Sequence, residues 1–361
     1  MYLPARTVRI AKRVLCVVPC LLCAIGLLTA CVNWQMSFGV SLEYAMRHHL
    51  CDGVNTSFGS NLTGPLRQTC EELQRLEAGF YRKRSYKTNN FTYTYLIPGD
   101  NICTNDTDLV ILVHSLHNYA NRREAIRRTW GGAAIARTWP GRNISVNIKL
   151  AFIFGVNHNK NLNTIVQDEH VGYRDIIQGN FYEHYHNMTL KSLLGLNWLM
   201  RYCPSAKYLL KSDDDMIINI PYLLEILNHT DMRKGIMGPY NSGSRVYRNG
   251  KWSIPKAQFP FYYFPPYESG SSYVISADLV RPLYETSQYV PHIFIDDVYV
   301  TGILGRIVGA RHVVHDGFAF WTSKPPKPCD IVRDRLVAGT RLTPDSLRTL
   351  WSLLQKGMSS C

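Results

Sequence analysis

Tyr208-Leu209-Leu210-Lys211-Ser212-Asp213-Asp214-Asp215-Met216-Ile217-Ile218 is a short apolar strand that ends in three consecutive carboxylates. Like charges that close repel, and they settle only around a cation or in bulk water. Hard oxygen ligands suit Mg²⁺ or Mn²⁺, and those ions bind best when substrate phosphates complete the shell. The stretch therefore points to a divalent-metal site for a phosphorylated substrate. In isolation, an acidic turn after a strand is the better explanation of Asp-Asp-Asp. The surrounding chain decides between the two.

Working outward, strand and helix patterns alternate. Leu109-Val110-Ile111-Leu112-Val113 is a β-branched apolar run suited to a buried parallel strand. Residues 121–130 predict a helix, stopped by Gly131-Gly132. Residues 149–155 predict a second strand, Asp175-Ile176-Ile177-Gln178 a third, and residues 189–202 a helix. After the strand that delivers the aspartates, Pro221 to Leu227 begins another helix. Such alternation predicts an α/β, Rossmann-like domain with a mostly parallel sheet. Beyond residue 230, aromatics, Pro and Gly predict irregular loops and antiparallel pieces. Ligands of such sheets lie beyond the carboxyl ends of the strands, where the aspartates fall.

The ends set the compartment. Val14 to Val32 is an uncharged run of 19 residues, preceded by Arg6, Arg9, Lys12 and Arg13 and followed by no charge until Glu43. That length can span a bilayer, and the basic flank keeps the N-terminus cytoplasmic. A cleaved signal peptide, with Leu28-Thr29-Ala30 as its cleavage site, is the competing reading. The expected organisation is a tail over 1–13, a transmembrane signal-anchor over 14–32, a luminal stem over 33–105 and a catalytic domain over 106–361. Within the stem, Glu71-Glu72-Leu73-Gln74-Arg75-Leu76 predicts a short helix. Six cysteines outside the anchor (Cys51, Cys70, Cys103, Cys203, Cys329 and Cys361) allow up to three disulfides in an oxidising lumen, in fifteen pairings. Asn-X-Ser/Thr sequons at Asn55, Asn61, Asn90, Asn105, Asn143, Asn187 and Asn228 suit the same compartment. It excludes nucleic acid as a partner, despite a net charge of +13.

Five blocks in order then resemble the β-1,3-galactosyltransferase and β-1,3-N-acetylglucosaminyltransferase family of inverting glycosyltransferases. They are residues 122–131 (Arg-Arg-Glu-Ala-Ile-Arg-Arg-Thr-Trp-Gly), 175–178 with 187–191, 211–215, 267–276 and 295–299 (Ile-Asp-Asp-Val-Tyr). The resemblance covers about residues 108 to 361 and implies a GT-A fold in a Golgi membrane protein with its catalytic domain luminal. It implies a UDP-sugar donor, galactose being preferred over N-acetylglucosamine, and Mn²⁺ (or Mg²⁺) held by Asp213 and Asp215. Asp214 would meet ribose or sugar hydroxyls. Inversion in one displacement needs a base beside the acceptor hydroxyl; by family position this is Asp297, with Asp296 orienting. Arg123, Arg127 and Lys191 become candidates for the nucleotide side, and His315 for a third metal ligand. Gly270 would let the backbone approach a sugar, and Tyr267 and Tyr273 would stack on pyranose rings. The acceptor would be a glycan on glycoprotein or glycolipid, and a homodimer is compatible with the family. A catalytically silent glycan-binding relative is the reading from another class; such relatives lose carboxylates that this chain keeps. Three departures stand out: residues 338–344 lack the histidine of many relatives, Gly179-Asn180 stands where the family often has Asp, and Thr301 is one residue extra.

Overall fold

The structure is a computed structural model that describes residues 65–318, 324–357 and 361. It divides into two compact units, residues 1–80 and 81–361. In the first, the described element is the helix Pro65–Phe80, which contains the stretch expected to be helical. The expected tail, the anchor over 14–32 and Cys51 lie outside the described residues. Among the described residues, no helix is long and apolar enough to cross a membrane.

The second unit is an α/β domain. Its strands in chain order are β1 (Tyr95–Ile97), β2 (Leu109–His114), β3 (Ile148–Val156), β4 (Ile176–Tyr182), β5 (Tyr208–Asp213) and β6 (Ile217–Ile218). There follow β7 (Gly235–Gly238), β8 (Tyr240–Asn241), β9 (Tyr267–Glu268), β10 (Ser272–Ser276), β11 (Arg311–Val314) and β12 (Ala338–Gly339). The main sheet runs β1-β4-β3-β2-β5-β10-β7-β11. The β4-β3-β2-β5 core is parallel, whereas β10 is antiparallel to both β5 and β7. The mixed second half matches the loss of helix–strand alternation after residue 230.

β2 is buried along its whole length because helices cover both faces of the sheet. Leu109, Ile111 and Val113 share a core cluster with Ile126 and Trp130. Leu112, of opposite pleat parity, meets Gly195 in the helix Met188–Tyr202, where an added Cβ would come within 2.9 Å of its Cδ1. From β2 the chain proceeds to β3 and β4 on one side and returns to β5 on the other. The topological switch therefore lies between the carboxyl ends of β2 and β5, where His114 and Asp213 stand side by side in register.

Two expectations are corrected. Residues 81–105, assigned to the stem, belong to the domain: β1 pairs with β4, Asn89 donates to the carbonyls of Ser287 and Val290, and Cys103 is bonded to Cys203. Cys329 and Cys361 form the second disulfide among the described residues. Gly131 and Gly132 do not stop a helix; they lie inside a second one, Trp130–Ala136, after Ala120–Arg127 has ended. The glycines are required by close approach, since a Cβ on Gly132 would stand 1.9 Å from the Arg127 carbonyl oxygen. The extra residue Thr301 is absorbed by a π-helical turn, Val298–Leu304, which accommodates one residue more per turn than an α-helix. Its hydroxyl donates to the Asp297 carbonyl (2.6 Å) and accepts from the Glu268 amide (2.9 Å), joining this turn to β9.

Gly132→Ala is expected to lower unfolding stability by about 2–3 kcal/mol, the usual cost of forcing atoms into filled space. A urea midpoint that falls with unchanged slope checks this; an unchanged midpoint contradicts the packing described.

Candidate active site

The triplet is not three equivalent carboxylates. Asp214 points into the protein: its Oδ2 accepts from the Ser115 hydroxyl (2.7 Å) and its Oδ1 from Arg122 (2.9 Å). It is 8% exposed, and both its oxygens are occupied by the loop after β2 and the helix beyond it. Asp214 therefore fixes the loop; the sugar-hydroxyl role expected of it is not what its carboxylate does here. Asp213 pairs with the buried Lys211 ammonium at 2.5 Å yet keeps a side chain 41% exposed. Burial raises its pKa to about 6, against the pull of Lys211. The Asp215 carboxylate makes no hydrogen bond or ion pair to another residue's side chain among the described residues. Burial, and then the neighbouring Asp214 charge, push its pKa upward. Asp214 is thus the one carboxylate of the triplet whose two oxygens are both taken up by other side chains.

Asp297 lies at the start of the π-helical turn. Its Oδ1 accepts from the Val298 amide and its Oδ2 from the Gly270 amide, each at 2.8 Å. Helix capping is therefore real for Asp297, but it uses one lone pair on each oxygen and leaves the others for a proton. Burial, then the adjacent Asp296 charge, raise its pKa to about 7. Asp296 is itself buried and takes a 2.6 Å hydrogen bond from Ser192.

Gly270 joins the two halves. Its amide holds Asp297, and its carbonyl accepts from the Lys211 ammonium that also holds Asp213. The Asp213 amide in turn donates to the Ser271 carbonyl at 3.0 Å. The close approach that Gly270 permits is thus to Asp297, whose Oδ2 would lie 3.1 Å from an added Cβ. Burial works against the charge on Lys211, but Asp213, and then Asp296, hold its pKa above the usual lysine value. Nothing in the sequence singled Lys211 out beyond its place in a block. The signal available was a lysine in the middle of an otherwise apolar strand, where an unpaired charge would not survive.

The basic candidates are spent inside the protein. Arg123 is fully buried; it is bidentate to Glu169 (2.8 and 2.6 Å) and donates to the Leu116 carbonyl (2.6 Å) and the Ser115 hydroxyl (3.2 Å). Arg127 is bidentate to Asp175 (2.7 and 2.8 Å), pairs with Glu169 (2.7 Å) and lies over the Tyr173 ring. Lys191, at 1% exposure, pairs with Glu183 (2.6 Å) and donates to the Ser115 carbonyl (3.0 Å). The expectation that these three grip a nucleotide directly is corrected: Arg123 and Lys191 hold the loop at Ser115, Arg127 shares Glu169 with Arg123, and Ser115 donates to Asp214. Trp130 completes the support by donating to the Met216 carbonyl at 2.9 Å.

The His315 Nδ1 accepts from the Gly317 amide, its ring meets Tyr222 edge-on, and no group of three or more His, Cys, Asp or Glu arranged for a metal is found among the described residues. The loop at Leu342, which lacks the relatives' histidine, does reach the triplet, donating its amide to the Asp215 carbonyl. Tyr273 is buried in β10 and shows no ring face to a ligand. The Tyr267 hydroxyl accepts from Asn241 (2.9 Å) and faces Ser244 (3.3 Å).

Comparison with known proteins follows this geometry. The family described as galactosyltransferase matches residues 121–315. Beta-1,3-galactosyltransferase 1 of Homo sapiens is 31% identical over 277 residues, 74% of this chain and 81% of that protein. Beta-1,3-galactosyltransferase 5 of Homo sapiens is 30% identical over 289 residues, 76% and 89% of the two. The chain belongs to the galactosyltransferase family. It is a hexosyltransferase.

For a galactosyltransferase-family enzyme, the raised pKa of Asp297 has a measurable sign. Were Asp297 the base expected from the sequence, it would have to be unprotonated, and turnover would then fall about tenfold per pH unit below 7 and level off above it. Lys211 lowers the Asp297 pKa. Lys211→Met should therefore move that limb to higher pH, and a limb that stays put contradicts the electrostatic link. Asp297→Asn should remove at least 10³-fold of turnover while UDP affinity, read by calorimetry, stays within about threefold.

Proposed function

We propose that this enzyme transfers galactose from UDP-galactose to the 3-hydroxyl of an acceptor sugar on glycoprotein or glycolipid, by an inverting, metal-dependent displacement. The observation that carries the reading is the Gly270 bridge, which holds Asp297 and, through Lys211, Asp213 against one segment. The names of the two relatives support galactose as the donor sugar.

Asp297 takes the proton of the acceptor hydroxyl as its oxygen attacks the anomeric carbon. The bond from that carbon to the UDP oxygen breaks on the opposite side, so an α-linked donor gives a β-linked product. Asp296, held by Ser192, raises the proton affinity of Asp297 by its charge. Asp213 and Asp215 suit Mn²⁺ or Mg²⁺, because two hard carboxylates are the usual protein share of a shell completed by substrate phosphates. Such an ion, when bound, counters the charge growing on the departing diphosphate. Lys211 stays within the protein, keeping Asp213 ionised. The same reading extends to a Golgi type II membrane setting, with the anchor over 14–32 and the domain luminal, which the charge pattern and sequon density support.

The test is transfer by the purified enzyme from UDP-galactose and UDP-N-acetylglucosamine to a β-N-acetylglucosaminide, with Mn²⁺ and with a chelator. The expected result is a β-1,3-linked galactoside formed at least tenfold faster than the alternative product, and abolished by chelation. Preference for UDP-N-acetylglucosamine, or turnover indifferent to chelation, overturns the respective part. Asp215→Ala is expected to weaken Mn²⁺-dependent UDP binding at least tenfold and to leave metal-free UDP binding little changed.

A further inference from the structure

Tyr273, expected to face the acceptor, is buried, yet exposed aromatic faces lie elsewhere. Tyr185, Tyr247 and Trp252 are 38%, 56% and 43% exposed, unusual for side chains of that size. They form a connected set. The Tyr247 and Trp252 ring centroids lie 6.4 Å apart. The Lys251 ammonium lies over both the Tyr185 ring (4.5 Å) and the Trp252 ring (5.6 Å). No carboxylate pairs with Lys251 among the described residues.

The set is anchored beside the base. The Tyr185 ring packs against Phe294 with centroids 6.0 Å apart, and Phe294 precedes Asp296 and Asp297 by two and three residues. Tyr185 also lies within electrostatic reach of Asp296, Asp297 and Asp213. Its outer part is held firmly: Arg248 donates to the Ile254 and Phe261 carbonyls (2.7 Å each), and the Ile254 amide donates to the Tyr247 carbonyl (3.0 Å). The result is a set of exposed rings beside the segment that carries Asp297, with the Lys251 ammonium lying over two of them.

A pyranose ring presents a face of slightly positive C–H groups that suits the negative face of an aromatic ring, while its hydroxyls accept from ammonium and indole donors. We propose that Tyr185, Lys251, Trp252 and Tyr247 form an acceptor subsite for the sugar preceding the attacked residue, so that the acceptor is an oligosaccharide and not a single sugar. This rests on Asp297 marking the attacked hydroxyl.

The experiment compares the methyl β-glycoside of N-acetylglucosamine with the disaccharide N-acetylglucosaminyl-β-1,3-galactose as acceptors. The wild-type KM for the disaccharide is expected about tenfold below that for the monosaccharide. Trp252→Ala should raise the disaccharide KM to the monosaccharide value with kcat held within about threefold, and Trp252→Phe, which keeps a ring face, should recover most of the loss. Equal wild-type KM values, or an equal rise for both acceptors in Trp252→Ala, overturns the subsite. Calorimetric titration of the disaccharide onto UDP-loaded protein reads the site without turnover. Binding that is weakened by Trp252→Ala in an enzyme that transfers no galactose would retain the subsite and reject the proposed reaction; binding indifferent to Trp252 would reject the subsite. UDP affinity in each variant confirms that the nucleotide side is folded.

Discussion

A single buried ammonium, Lys211, is the constraint on which the site depends. It sits in a central strand, where an unpaired charge would be intolerable, and it is satisfied by Asp213 and by the Gly270 carbonyl. Removing one partner of such a pair commonly costs several kcal/mol, because the other charge is left buried and alone. The pairing therefore fixes geometry more than it adds stability. Through Gly270 it places the strand end that carries Asp213 and Asp215 against the turn that carries Asp297. The chemistry needs those two groups of carboxylates to share a cleft, and their mutual repulsion would otherwise separate them.

The rest of the domain supports that arrangement in layers. Glu169 holds Arg123, which sets the loop after β2, and shares Arg127 with Asp175. Lys191 and Glu183 fix the same loop from the helix Met188–Tyr202. Ser115 passes the position on to Asp214, and Trp130 holds the backbone just after the triplet. Buried ion pairs of this kind are poor sources of net stability but leave few alternative arrangements. The π-helical turn does the same on the acceptor side, with Thr301 tying the Asp297 carbonyl to β9.

Much of this was legible in the chain. Fully buried strands read as unbroken apolar runs, so β2, β3 and β5 were found within a residue or two, and the clustered aspartates marked the carboxyl end that matters. Asp296 and Asp297 were found through order of blocks. Side-chain direction was not legible. Arg123 and Arg127 carry the chemistry of phosphate binders, and only their partners 46 and 48 residues away show that their donors are used. Tyr273 reads as a sugar-stacking ring until strand pairing on both sides buries it. Gly131-Gly132 imitates a helix stop because a close helix–helix approach and a terminus both call for glycine. The domain's true start was hidden because β1 is three residues long.

The most direct test of this arrangement is a crystal structure of the enzyme bound to UDP and Mn²⁺. The Lys211–Gly270 bridge predicts the ion on Asp213 and Asp215, with the terminal phosphate facing the same open space as the Asp297 carboxylate and the bridge unbroken. A nucleotide bound with Asp297 walled off from its terminal phosphate, or an ion held elsewhere, would contradict it.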